Sequence, residues 1–415
     1  MNRKWFLAVF FPVLMLIVFQ GCDLIDDEGE IPKTEDQYLI SYSVVASYPL
    51  DLAVKPLFQK IEAEFPDASG ITQKAKHGVW VYRINYRTQY KDQEVVASGL
   101  VCIPMSTGPF PLLSFQNGTN TLHINAPTKS PTDSLFVMIE AIAATGFIVT
   151  LPDYLGFGAS STMFHPYMHK ASTVKSVVDM FRAVKELMVH LKNISLSKDT
   201  YLMGYSQGGW STLALKYELE NNLSQEFTLK AASCGAGPYD LTHVSNVIFS
   251  RPVYDMPYFL AYIMNSWILS SEINLTYTDI FSAPYSGQGY IQELFNGTHD
   301  SGYINGKLNK TLNQLFKNNF LDSLATAPRY KTIRDALSNN SIKAWKTTSP
   351  LLLVHGMNDT YVTPTVMTKI QQDFVSAGVA PGVFEALPVP GLGHHEAVVP
   401  WGVKSLHWIL KKAGI

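Results

Sequence analysis

The 415-residue chain is poor in charge: Lys, Arg, Asp and Glu together make up 16% of it, and the net charge is -2. No Lys/Arg cluster stands outside the extreme N-terminus. A phosphate-binding face is therefore missing, which argues against nucleic acid as a partner. Cysteine is scarcer still, with only Cys102 and Cys234 beyond Cys22. Two cysteines make no disulfide framework, and neither has metal-ligand spacing, so both read as small buried hydrophobes. With 47% apolar residues, the composition is that of an ordinary globular protein with a large core. A small-molecule substrate is the class of partner left standing.

Long apolar runs are also lacking, save one. Residues 1–22, "MNRKWFLAVFFPVLMLIVFQGC", begin with Arg3 and Lys4, continue apolar from Trp5 to Phe19 and end in Gly21-Cys22. The run is shorter than the roughly 20 residues of a spanning helix and has the layout of a secretory signal. The Gly-Cys ending resembles a bacterial lipoprotein signal, with Cys22 the lipidated residue and the membrane a partner through that lipid. Residues 23–40, acidic at first, read as a flexible linker.

After the linker, "SYPLDLAVKPLFQKIEAEF" has helical spacing. "GVWVYRINYRTQY" and "EVVASGLVCIPM" alternate and read as an antiparallel hairpin forming the edge of a sheet. Short apolar runs follow: "FPLLSFQ", "GFIVTLP", "TYLMGYS", "TLKAASCGA", "SPLLLVHG" and "VFEALPV". Most are separated by stretches of helical periodicity, a pattern that predicts an α/β fold with a mostly parallel sheet covered on both faces. Residues 237–348 break the rhythm: they are rich in aromatics, Asn and Ser and have no clear strand. They read as a helical cap inserted into a catalytic domain made of 41–236 and 349–415.

Chemistry concentrates in three places. In "TYLMGYSQGGWSTLAL", Gly204 and Gly208 flank Ser206 at a strand-to-helix junction. A serine hydroxyl becomes a nucleophile when exposed on such a strained turn beside a base. An acid and a histidine should then follow in that order, each after a later strand. "SPLLLVHGMNDTYVTP" carries Asp359, preferred over Asp240 in "GAGPYDL". "VFEALPVPGLGHHEAVVP" carries the adjacent His394 and His395, of which His394 is the preferred base; His355 reads as structural. Attack on a carbonyl also needs oxyanion donors: the N–H of Gln207, and that of Gly118 or Thr119 in "SFQNGTNT". Asn117, Tyr154 and Tyr205 are the candidate pocket residues. Tyr254, Tyr258, Phe259, Tyr262 and Trp267 suit either an apolar ester group or the cap's own core.

Taken together, "VVASGLVCIP", "SFQNGT", "LPDYLGFGAS", "GYSQGG", "HGMNDTYVTP" and "GHHEAVVP" resemble, in order and spacing, the α/β-hydrolases of the secretory lipase family. The resemblance implies carboxylic ester hydrolysis through an acyl-serine, with no metal or cofactor. Here "QNGT" stands where that family more often has His-Gly. Alternatives are a carbohydrate esterase acting on acetyl or feruloyl groups, a peptidase, and a non-catalytic binding protein on the same fold.

Overall fold

The computed structural model describes residues 35–415. Cys22 and the signal-like segment lie outside them. The short apolar runs become strands β4 (Gly108–Gln116), β5 (Ile148–Pro152), β6 (Ile194–Tyr205), β7 (Thr228–Gly235), β8 (Leu351–Gly356) and β9 (Phe384–Val389). They pair in parallel, in the order β5-β4-β6-β7-β8-β9. β5, β8 and the C-terminal half of β6 are buried at every position, which is why their sequences are continuously apolar instead of alternating. The hairpin is β2 (Val79–Tyr90) and β3 (Gln93–Pro104), and β3 joins the parallel set through an antiparallel pairing with β5.

That hairpin is not the edge of the sheet. β1 (Leu39–Tyr48) pairs antiparallel with β2 outside it, and it takes up the last residues of the stretch read as linker. An edge strand is half solvated, and β1 is bulged twice in its register with β2 and carries the buried polar Ser41, bonded by Asn85 Nδ2 at 3.0 Å. Its alternation is correspondingly weak. The helix expected from Ser47 begins later, as a π-helical turn over Leu50–Val54 and then α1 (Lys55–Glu64).

The other helices used below are α2 (Ser134–Glu140), α3 (Lys170–His190), α4 (Gln207–Asn221), α5 (Leu241–Phe249), α6 (Pro257–Leu269) and α7 (Val398–Ala413). One core cluster gathers buried residues of α3, α4 and α6, and a second gathers those of α1, α2 and α7. Alternate residues of β6 divide between them: Leu202 belongs to the first, Tyr201, Met203 and Tyr205 to the second. The two clusters are thus the two faces of the sheet. Between β7 and β8, residues 237–348 are helices joined by loops and add no strand to the sheet. Tyr254, Tyr258, Tyr262 and Trp267 are buried there, in the same core cluster as α3 and α4.

Register aligns the strand ends. Gln116 stands beside Gly204, Tyr205 beside Gly235, and Gly356 beside Val389. The loops after β4, β6, β8 and β9 therefore emerge along one edge, where open parallel sheets place their ligands. No helix among the described residues is long and apolar enough to cross a membrane.

Candidate active site

Ser206 sits between β6 and α4 with φ 60° and ψ -121°, a conformation costly for any residue bearing a side chain. What over-determines it is close backbone packing. A Cβ on Gly204 would fall 2.3 Å from the carbonyl oxygen of Gly208, and one on Gly208 would fall 1.9 Å from that of Gln116. Gly209 meets the carbonyl of Gly235 in the same way, at 2.4 Å, a third tight approach that sequence reasoning left without a role. The N–H of Ser206 donates to Gly235 at 2.8 Å, tying the turn to the next strand.

Around this serine the structure brings Asp359 and His394 together. His394 Nε2 lies 2.9 Å from Ser206 Oγ, and His394 Nδ1 lies 2.6 Å from Asp359 Oδ2. Asp359 is buried after β8, where its Oδ1 accepts from the N–H groups of Tyr361 at 2.8 Å and Val362 at 2.9 Å. Burial pushes this carboxyl up, but hydrogen bonds from His355 and His394 and the charge those rings carry when protonated outweigh it, leaving Asp359 well below the usual range. His355 is more than scaffolding at a strand end. Its Nε2 is 2.9 Å from the carbonyl of Val362, so that nitrogen carries hydrogen and also faces Asp359 Oδ2 at 3.1 Å.

The two alternatives are set apart. Asp240 caps α5, accepting from the N–H of His243 at 2.9 Å, and pairs with Lys369 at 3.3 Å. The exposed His395 turns its ring edge to Tyr361, 5.2 Å away, while His394 is buried.

Gln207 opens α4, so its N–H is among the first-turn donors without a partner inside the helix. Its side chain is pinned by a residue the sequence gave no reason to select. Buried His165 lies with its Nδ1 2.7 Å from the carbonyl of Leu155 and its Nε2 3.0 Å from Gln207 Nε2. Burial lowers this imidazole to about 4, which the bond to Leu155 only partly offsets, so the neutral ring accepts from Gln207. Gly118 approaches Ser206: a Cβ there would sit 3.6 Å from the carbonyl oxygen of Tyr205 and 4.0 Å from Ser206 Cβ. Thr119 Oγ1 meets Tyr167 OH at 2.8 Å, and Asn117 Nδ2 donates to the carbonyl of Pro152 at 2.8 Å.

Tyr154 adopts φ 66° and donates through its hydroxyl to the carbonyl of Asn117 at 3.2 Å, bracing the loop after β4. Its neighbour Asp153 is buried and accepts from Ser98 Oγ at 2.5 Å and from Thr128 N at 2.9 Å. Asn117, Gly118, Thr119, Tyr154, Tyr205, Ser206 and His394 all line one cavity of about 420 Å³. Among the described residues, no group of three His, Cys, Asp or Glu side chains could hold a metal ion.

The sequence model of the secretory lipase family matches residues 125–413, a span that holds Ser206, Asp359 and His394. The chain belongs to the secretory lipase family. With that membership go the α/β-hydrolase fold and a place among the lipases and esterases. Among solved structures, a mutant of the rice cell wall degrading esterase LipA from Xanthomonas oryzae is similar at 25% identity and TM-score 0.75, over 90% of this chain and 98% of that one. Candida antarctica lipase A in its closed state shares the fold at 16% identity and TM-score 0.62, over 89% and 81% of the two chains. No curated protein matches the chain.

Proposed function

We propose that this secretory lipase relative hydrolyses carboxylic esters through an acyl-serine intermediate, with Ser206 as nucleophile, His394 as base and Asp359 as its orienting acid. The observation that carries the reading is the relay from Ser206 Oγ through His394 to Asp359, 2.9 Å and 2.6 Å long. Asp359 holds His394 with Nδ1 protonated and Nε2 free to take the serine proton as Oγ attacks. The N–H of Gln207, with that of Gly118 or Thr119, receives the developing oxyanion. Collapse expels the alcohol, which takes the proton from His394, and a water activated the same way releases the acid.

Fluorophosphonate labelling of Ser206, lost in Ser206→Ala, tests the nucleophile. A folded protein that takes no label at Ser206 would sink the proposal. The likeness to LipA favours a second reading, ester groups carried on cell-wall polysaccharide. Release of acid from acetylated or feruloylated sugars, beside plain alkyl esters, separates the two. The notion of residues 237–348 as a cap is supported by Tyr262, whose hydroxyl donates to the carbonyl of Asn120 at 3.2 Å, and by Tyr258 and Phe259, which line the cavity. Export and lipid anchoring at Cys22 rest on the signal-like sequence and on the family's secretory character. Mass spectrometry of Cys22 in membrane fractions, and release of Cys22→Ser, test the anchor.

A further inference from the structure

The carboxylate of Asp359 is shared between two histidines. Its Oδ2 lies 2.6 Å from His394 Nδ1 and 3.1 Å from His355 Nε2, while Oδ1 accepts from the N–H groups of Tyr361 and Val362. A carboxylate offers about four acceptor sites, and all four are thereby in use. His355 is the penultimate residue of β8 and is 1% exposed. The carbonyl of Val362, 2.9 Å from its Nε2, keeps hydrogen on that nitrogen. Its Nδ1 is buried and has no hydrogen-bond partner among the described residues. A second N–H there would have nothing to accept it, so the ring serves Asp359 as a neutral donor.

The turn after β8 is already laced to the loop that carries His394 by backbone. Met357 N donates to the carbonyl of Val389 and Asn358 N to that of Leu392, both at 2.9 Å. Gly356 packs against the same loop, since a Cβ there would fall 2.5 Å from the carbonyl oxygen of Leu392. The contact of His355 with Val362 also braces the turn, a structural task that would leave the titration of His394 unchanged.

We propose that His355 is a positioning residue of the reaction: by holding one oxygen of Asp359 it limits how strongly that carboxylate grips His394. The inference rests on the ester-hydrolase reading above and adds a member to its relay. A carboxylate that gives part of its charge to a second donor binds an imidazolium less tightly. His394 then sheds its proton at lower pH and is ready to take that of Ser206. The other titratable groups facing the pair are Tyr205 at the end of β6, Tyr254, Tyr361 on the loop after β8, and His395 and Glu396 beside His394. Burial raises all three phenols, which keeps them neutral where a histidine titrates. His395 and Glu396 stay the same in every variant below.

The readout is the acid limb of the kcat/KM profile on a short p-nitrophenyl ester, which marks the protonation of His394. A hydrogen bond to a charged group corresponds to about one to two pH units, and part of that reaches His394. His355→Leu removes the donor and should move the limb to higher pH by about 0.5–1 unit, about three- to tenfold in kcat/KM below the limb. His355→Gln, whose amide N–H reaches the place of Nε2, should restore the wild-type limb. His355→Asn is too short to reach Asp359; it replaces the leucine variant if thermal melting shows that one unfolded, and should give the same shift. A limb at the wild-type pH in the variants that lack the donor overturns the proposal. So does an equal loss of kcat in His355→Leu and His355→Gln without a shift, which would leave His355 a packing residue.

NMR of protein carrying carbon-13 labelled histidine, with the His394 signal assigned by its loss in His394→Ala, follows the same titration without turnover. A His394 midpoint that rises in His355→Leu, in a protein that hydrolyses no ester, would retain the role of His355 and overturn the hydrolase reading alone.

Discussion

The hydroxyl of Tyr205 donates to the backbone carbonyl of His394 at 2.7 Å. The residue immediately before Ser206 thus holds the loop that carries His394. Their rings also pack, with centroids 5.3 Å apart, and Trp401 of α7 lies 5.2 Å from Tyr205 on its other contact. The tie stands beside the 2.9 Å contact between Ser206 and His394, two side chains 188 residues apart in sequence. Tyr205→Phe keeps the ring and removes the bond, so kcat should fall about two- to tenfold, matching the roughly 0.5–1.5 kcal/mol of a typical hydrogen bond. KM should hardly move. A kcat unchanged from wild type would show that the loop needs no such support.

The adjacent histidines give a sharper contrast. His394→Ala removes the group 2.9 Å from Ser206 Oγ and should cost at least about a thousandfold in kcat. His395→Ala removes an exposed ring packed on Tyr361 and should leave turnover within a few-fold. Steady-state kinetics on a short p-nitrophenyl ester decide it, and a reversed ranking would exchange the roles.

Asp359→Asn probes the tautomer. The amide oxygen can satisfy the N–H groups of Tyr361 and Val362, which turns the amide nitrogen toward His394 Nδ1. That nitrogen then has to accept, hydrogen moves to Nε2, and Ser206 faces a donor where it needs an acceptor. Turnover should drop by about four orders of magnitude with little change in folding. A drop under tenfold would mean Asp359 does not set the tautomer.

Glu140, at the end of α2, predicts a pH dependence of stability. It is fully buried and accepts only from Tyr48 OH, at 2.7 Å, while its other oxygen has no partner. Burial pushes it up to about 8, against a smaller downward pull from Tyr48. The folded protein therefore holds this proton where the unfolded chain has lost it. Stability should fall as pH rises from about 4.5 to about 8, by at most about 1.4 kcal/mol per pH unit, and level off above. Glu140→Gln, which keeps an acceptor for Tyr48, should match wild type near pH 4 and exceed it near pH 9. Urea unfolding of both proteins across that range is the measurement, and parallel curves would refute it.

Much of this arrangement could be read before any coordinates. The buried parallel strands announce themselves as unbroken apolar runs, and the turn at Ser206 needs glycines whose positions are fixed by backbone contacts with Gln116 and Gly235. β1 escaped because an edge strand has neither a continuous apolar run nor clean alternation. The roles of His165, His355 and the Tyr205 hydroxyl escaped for another reason. Each depends on a partner brought near by tertiary packing: Gln207 is 42 residues from His165, and His394 is 189 from Tyr205. "HGMND" showed a histidine four residues before an aspartate, which was the available signal for His355, but only the turn after β8 aims one at the other.

The order of the strands also has a meaning in time. β6 and its serine are made near the middle of the chain, whereas the loop bearing His394 follows β9, with only α7 still to come. A growing chain carries Ser206 through the synthesis of nearly 190 further residues before His394 is added. On the proposed mechanism, ester hydrolysis waits for the residues that follow β9, so a copy that stops short of His394 is inactive.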